Sequence, residues 1–375
     1  MCISHTKDLL LLPHSVSPRR QNRPPKDSHH CHRKAQQLYI ATKRLWKMAT
    51  LATDIDAVAP DADLVEATIV EGVVYTSIHA CEFYMFALNS EGAVDCGKNG
   101  EIYSRFEPAL KTKYVQVSAG VLVGYILRDD GVVVRTKAWR VGARPTEDCK
   151  ILPPPNIKYT HVASGPHASY FVRDDGKVDR TLGSGKIQLT MTPPEKTMYT
   201  QVVAGHLWSY FLRSDGVVDF SNGEGKINGS LICKDAGVSY TQITFTPSDT
   251  HENQALQVYL IRSDGSADKV AMSSRLSHPA VVGNVKCATT TKKDVKYVAG
   301  STCRVVTYLL RSDGAVDRIV KGVSVSETLR PPSGQRYTSV CAGNQASYFL
   351  RSDGKIERTT GKGVVSSTVE APQDL

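Results

Sequence analysis

Short runs of aromatic and branched residues recur along the chain, each ending in a polar turn. Six segments share the pattern Tyr-apolar-apolar-Arg-Ser/Asp-Asp-Gly: Tyr125–Gly131, Tyr170–Gly176, Tyr210–Gly216, Tyr259–Gly265, Tyr308–Gly314 and Tyr348–Gly354. A weaker seventh copy runs from Phe86 to Gly92. Each copy predicts a β-hairpin, because a strand-forming run meets a turn whose glycine supplies positive φ, and a second strand such as Val217-Val218-Asp219 follows. Another short strand opens with Tyr upstream, at Tyr114, Tyr159, Tyr199, Tyr240 and Tyr337. In four copies it ends at a glycine eleven residues before the turn glycine: Gly120, Gly165, Gly205 and Gly343.

Three strands and a remnant fit each repeat, and no window carries a long amphipathic helix. Seven such units predict an all-β chain folded as a seven-bladed β-propeller, in which ring closure leaves few exposed sheet edges. The expected limits are residues 67–370 for the propeller, 1–47 for a basic tail, 48–66 for a linker and 371–375 for a C-terminal tail. Ala67–Val74 is apolar enough to supply a strand that closes the ring with the last blade.

The run Ala204-Gly205-His206-Leu207-Trp208-Ser209-Tyr210-Phe211-Leu212-Arg213-Ser214-Asp215-Gly216 resembles the first half of the repeat of the regulator of chromosome condensation family. The likeness spans roughly residues 70–370 and implies that family's seven-bladed fold. The sequence also departs from the pattern. The family's His, three residues after the first Gly, is replaced by Val123, Ala168, Trp208 and Ala346. Its second half, with Trp-Gly and a later Gly-Gln-Leu-Gly, gives way to runs such as Asn222-Gly223-Glu224-Gly225-Lys226-Ile227.

Of the 375 residues 41% are hydrophobic, which excludes a wholly disordered chain, and no apolar run approaches the 18 needed for a membrane-spanning helix. The net charge of +9 belongs almost wholly to residues 1–50, where ten Lys and Arg face only Asp8 and Asp27. A body so near neutrality has no long-range field for a phosphate backbone, so nucleic acid is not an expected partner of the propeller. The tail is Arg-rich and acid-poor. It reads as a disordered segment, a transit peptide, or an extension ahead of a true start at Met48. Nine scattered cysteines without a Cys-x-x-Cys indicate free thiols in a reducing compartment. His29-His30-Cys31-His32 has the ligand types for a soft metal but not the spacing of a structural site, and a solvated polar run is the better reading.

The repeated arginines suggest either a basic ring for an anionic ligand or a structural pairing. An acid lies three residues past the turn glycine in five copies: Arg173 with Asp179, Arg213 with Asp219, Arg262 with Asp268, Arg311 with Asp317, and Arg351 with Glu357. Cross-strand ion pairs worth roughly 0.2–1 kcal/mol each are the favoured reading. Arg128 meets Val134 and lacks that acid. The turn glycines Gly92, Gly131, Gly176, Gly216, Gly265, Gly314 and Gly354 are structural. The repeated tyrosines read as core residues, their hydroxyls reaching a backbone group or water.

No Gly-x-Ser-x-Gly elbow or His-Glu-x-x-His occurs, and His161, His167, His206, His251 and His278 stand alone in sequence. The expectation is therefore a non-catalytic module without cofactor or metal. Loops carry function on a fixed scaffold. The fifth copy has a long stretch from Thr244 to Gln257 in place of the first glycine turn, and the sixth has three extra residues after Gly300. Both extensions fall beside His167 and Trp208, and the expected interaction face comprises His167, Trp208, His251, Glu252 and Asn253. Trp208 reads either as an exposed anchor or as a residue tucked between blades.

The expected function is a monomeric protein-interaction scaffold in the cytoplasm or nucleus, or in an organelle if the tail is a transit peptide. The family resemblance implies one alternative, guanine-nucleotide exchange on a small GTPase at chromatin, although no long inserted hairpin is present to act as a wedge. Another is a lectin-like binder with one pocket per blade, which the unlike loop residues disfavour.

Overall fold

The computed structural model describes residues 72–80, 84–120, 123–137, 150–182, 185–205, 208–222, 224–244, 258–271, 279–286, 295–303, 306–320, 323–343, 346–360 and 364–372. The predicted tail and linker lie outside them. The described residues form seven antiparallel sheets, each of four consecutive strands in simple meander order. Blade 1 spans Tyr75–Phe106, blade 2 Tyr114–Ile151, blade 3 Tyr159–Met191 and blade 4 Tyr199–Leu231. Blade 5 spans Tyr240–Val285, blade 6 Tyr297–Leu329 and blade 7 Tyr337–Val369.

Blade 4 shows how the repeat builds a hairpin. Phe211 lies opposite Asp219 and Leu212 opposite Val218. The Gly216 N–H donates to the Arg213 carbonyl at 3.0 Å, and the Arg213 N–H to the Val217 carbonyl at 2.9 Å. Gly216 stands at φ 78°, the left-handed position that ends a three-residue hairpin loop. Asp215 steadies the turn by accepting the Val217 N–H at 3.2 Å.

Alternation along the second strand sends adjacent aromatics to opposite sides of a blade. Tyr170 of blade 3 meets Phe211 of blade 4 edge-on at 5.2 Å, and Phe211 also packs on Tyr199. Tyr125 with Phe171 and Tyr308 with Phe349 repeat the contact. The buried apolar residues accordingly form seven clusters, one at each junction of neighbouring blades, including that of blade 7 with blade 1. Of the repeated tyrosines, Tyr170 and Tyr210 are buried in the core as expected, with hydroxyls that bond to no described residue.

A backbone clamp repeats at every junction. The N–H of the tyrosine opening each inner strand donates to the turn-glycine carbonyl of the preceding blade, as in Tyr199 to Gly176 at 2.9 Å and Tyr240 to Gly216 at 3.0 Å. Tyr75 to Gly354, at 3.2 Å, closes the ring.

Two expectations need correction. Blade 7 takes all four strands from the chain's end, so closure comes from this clamp and from apolar packing; within Ala67–Val74 the described part, residues 72–74, is no strand. The sixth copy has no inserted residues either. Gly300 lies inside the inner strand Tyr297–Thr302, and Cys303 makes the turn, its N–H donating to Val306 as Gly343 donates to Ala346.

Candidate interaction face and central channel

The repeated arginines and acids belong to a network inside each of blades 3 to 7. In blade 4 the Asp219 carboxylate, on the third strand, accepts the Tyr199 hydroxyl at 3.0 Å and the Ser230 hydroxyl at 2.5 Å. Arg213 Nη1 stands 3.5 Å from it, while Nε donates to Asp215 in the turn at 3.1 Å. One buried carboxylate thus ties the inner, second and outer strands to its own. Asp179 gathers Tyr159, Arg173 and Thr190; Asp268 gathers Tyr240, Arg262 and Asn284; Asp317 gathers Tyr297, Arg311 and Thr328. In blade 7 Glu357 holds Tyr337 at 2.6 Å and Arg351 at 3.1 Å. Burial and then the adjacent carboxylate hold these inner tyrosines protonated well above the usual phenol range. The sequence expectation named Tyr159, Tyr199, Tyr240 and Tyr337 as strand openers but missed their bond to the acid. Their signal was a twenty-residue spacing to the acid, as in Tyr159–Asp179 and Tyr199–Asp219, lengthened to 28 in Tyr240–Asp268 of blade 5.

Blade 1 reaches the same result with a different residue. Asn89 stands where the arginine is expected, and Arg105 on the outer strand takes over, its Nε 2.6 Å and Nη2 3.1 Å from Asp95. Arg105 Nη2 also donates to the Pro372 carbonyl at 2.6 Å, beside the buried Ala371. The displaced arginine therefore fastens the last described residues to blade 1. In blade 2 Arg128 pairs, among the described residues, with the turn residue Asp130, and Tyr114 turns its hydroxyl to the Glu107 carbonyl.

The two faces of the ring differ. Hairpin turns of one design occupy the first face in every blade. The second face carries the connections from inner to second strand and from third to outer strand. Their lengths vary widely, with residues 138–149, 245–257 and 272–279 the longest. His167 is exposed on this face. Trp208 is not: only 6% exposed, it packs edge-on against Phe220 at 5.4 Å within the cluster between blades 4 and 5. The expectation of Trp208 as an exposed anchor is corrected. With no histidine in that place, the indole fills the junction. His251, Glu252 and Asn253 lie outside the described residues.

The inner strands present their free edges to a central channel, and side chains from the preceding blade cap them. Gln116 pairs with both backbone groups of Val162, accepting its N–H at 3.0 Å, and Gln201 does the same for Ile243 at 2.8 Å. Ser118 caps Ser164, Ser301 caps Ala342 and Cys341 caps Ala80. His79 Nδ1 accepts the Ala119 N–H at 3.2 Å. His161 lies between the Gln116 amide at 2.9 Å and the Val202 carbonyl at 3.0 Å. Burial, reinforced by His161, pushes the His79 pKa down to about 4, and burial lowers His161 as well. Both rings are neutral at pH 7, each with its proton on Nε2. The channel contains a partly open cavity of about 160 Å³ whose lining includes His79, Gln116, His161, Gln201, Gln242 and Cys341, without one charged side chain among the described residues. No group of three or more potential metal ligands occurs among the described residues. None of their helices is long and apolar enough to cross a membrane.

No protein-family model and no curated protein matches the sequence. Solved structures do match in shape. Human WBSCR16 is 14% identical at a TM-score of 0.53, over 72% of this chain and 85% of its own. Prp20p of Saccharomyces cerevisiae, described with its binding to Gsp1p and histones, is 11% identical at 0.53, over 72% and 81%. A catalytically inactive virginiamycin B lyase of Staphylococcus aureus is 11% identical at 0.56, over 80% and 97%. At these identities the likeness is one of fold. The chain is a seven-bladed propeller of the kind seen in the regulator of chromosome condensation structures, and its sequence is divergent from theirs.

Proposed function

We propose that the protein is a non-catalytic interaction scaffold that binds another protein through the face carrying its variable loops. The observation behind this reading is the contrast between the faces. The hairpin face repeats one turn in every blade, and its arginines are engaged within the fold. Changes in length gather on the opposite face, at 138–149, 245–257 and 272–279, where His167 is exposed. A rigid ring with one variable face suits recognition of a large surface. The test is capture of partners by the full chain and by a variant with residues 246–256 replaced by a short Gly-Ser link. Loss of a stoichiometric partner with unchanged thermal unfolding supports the face; full retention removes it.

A regulator of a small GTPase is the second reading, favoured by the fold shared with Prp20p and that protein's binding to Gsp1p. Faster nucleotide release from a captured GTPase would establish it in place of the scaffold.

A further inference from the structure

The polar groups of the channel fall into two sets. Gln116, Ser118, His161, Gln201, Ser301 and Cys341 are committed to backbone groups of the next blade. Gln242 occupies on blade 5 the place of Gln116 and Gln201, yet its side chain bonds to no described residue, and its neighbour on blade 6 is Gly300. His79 uses only Nδ1. Because that atom accepts the Ala119 N–H, the ring proton lies on Nε2, the nitrogen left for the cavity.

We propose that the channel is a binding site for a small, uncharged, hydrogen-bonding molecule held by the His79 Nε2–H and the Gln242 carboxamide. Size and polarity set the ligand class. A dry cavity of about 150 Å³ admits benzene, so about 160 Å³ fits a molecule of roughly six to ten heavy atoms. His79 offers a donor and Gln242 both a donor and an acceptor, which matches a polyol or a small amide. With no charged side chain in the lining, an ion would lose its hydration without a counter-charge.

The test uses the full chain with ¹⁵N-labelled histidines, titrated with glycerol and, separately, with sodium acetate and methylammonium chloride. Glycerol is expected to move the His79 Nε2 resonance saturably, and Gln242→Leu to weaken that binding at least tenfold. The two ions are expected to leave the resonance in place. Gln242 carries no inter-blade bond, so the variant is expected to keep the parent's Tm; Gln242→Asn serves if Leu lowers it. A non-saturating shift, unchanged affinity in both variants, or equal binding of the ions would overturn the proposal in favour of a channel that holds water only.

Discussion

The Tyr75 N–H donates to the Gly354 carbonyl at 3.2 Å, joining the first inner strand to the last hairpin turn. Gly354 stands at φ 77°, and a Cβ there would lie 2.4 Å from the Val74 Cβ. Gly334 has nearly the same φ, 79°, with nothing within 4 Å. Gly334→Ala therefore incurs the left-handed backbone penalty alone, roughly 1–2 kcal/mol. Gly354→Ala adds overpacking of about 1–3 kcal/mol at the ring's seam. Urea unfolding of the two variants measures the difference; equal losses would mean that the turn glycines serve conformation only.

Asp317 and Arg311 are fully buried together. Asp317→Ala takes the fully buried carboxylate away from the guanidinium while the turn carboxylate of Asp313 stays in contact, and a loss of about 3–5 kcal/mol is expected. Arg311→Met combined with Asp317→Leu is expected to recover much of that loss, since the desolvation cost of both charges disappears. Arg128→Met in blade 2, where no third-strand acid exists, is expected to change stability far less. Denaturant midpoints of the three variants decide the matter.

Stability is expected to fall as the solution becomes acidic, in a window set by His79. The unfolded imidazole takes a proton near pH 6.5 and the folded one near 4, so the unfolded chain binds more protons between those values. The His79 contribution is full above 6.5, declines as pH falls, and levels off below 4, with about 3 kcal/mol at stake. His161 is shifted in the same direction. Asp264 and Asp313, which hydrogen bonds hold low against the pull of burial, act at more acidic pH. Thermal unfolding between pH 4 and 7 of His79→Asn, which keeps an acceptor for Ala119, is expected to show a shallower pH slope. An unchanged slope would remove His79 as the cause.

Trp208→Ala is expected to cost about 3–5 kcal/mol, because it empties the junction between blades 4 and 5. Partner capture by the variant, at a temperature where it remains folded, is expected to match the parent. A selective loss of binding with normal stability would return Trp208 to the interface.

The fold was legible because its signals are local and repeated. Tyr210-Phe211-Leu212-Arg213 carries strand alternation, and Ser214-Asp215-Gly216 dictates the turn. Six further copies at a regular period imply a ring. The Arg213–Asp219 pairing was legible too, since a hairpin brings such residues together whatever surrounds them. The Tyr199 hydroxyl on Asp219 was hidden, because inner and third strands are not adjacent and meet only through side chains reaching across the second. Closure was misread for a related reason: Ala67–Val74 is apolar, but the Tyr75 clamp to Gly354 joins the first repeat to the last, at opposite ends of the propeller sequence. Trp208 showed the limit of position as a guide. A residue at a loop reads as exposed until the neighbouring blade is in place. The channel bonds of His79, Gln116 and Gln201 depend on the radial order of seven strands, which no single repeat reveals.

Cross-linking mass spectrometry of the full chain with its captured partner, from the native cell, bears most directly on the scaffold reading. Lys98, Lys186 and Lys226 are exposed on the variable face, whereas Lys111, Lys158, Lys196 and Lys234 are exposed on the hairpin face. Cross-links to one stoichiometric partner are expected on the first set. Cross-links confined to the second set, or a captured small GTPase whose nucleotide release the chain accelerates, would contradict a scaffold acting through its variable loops.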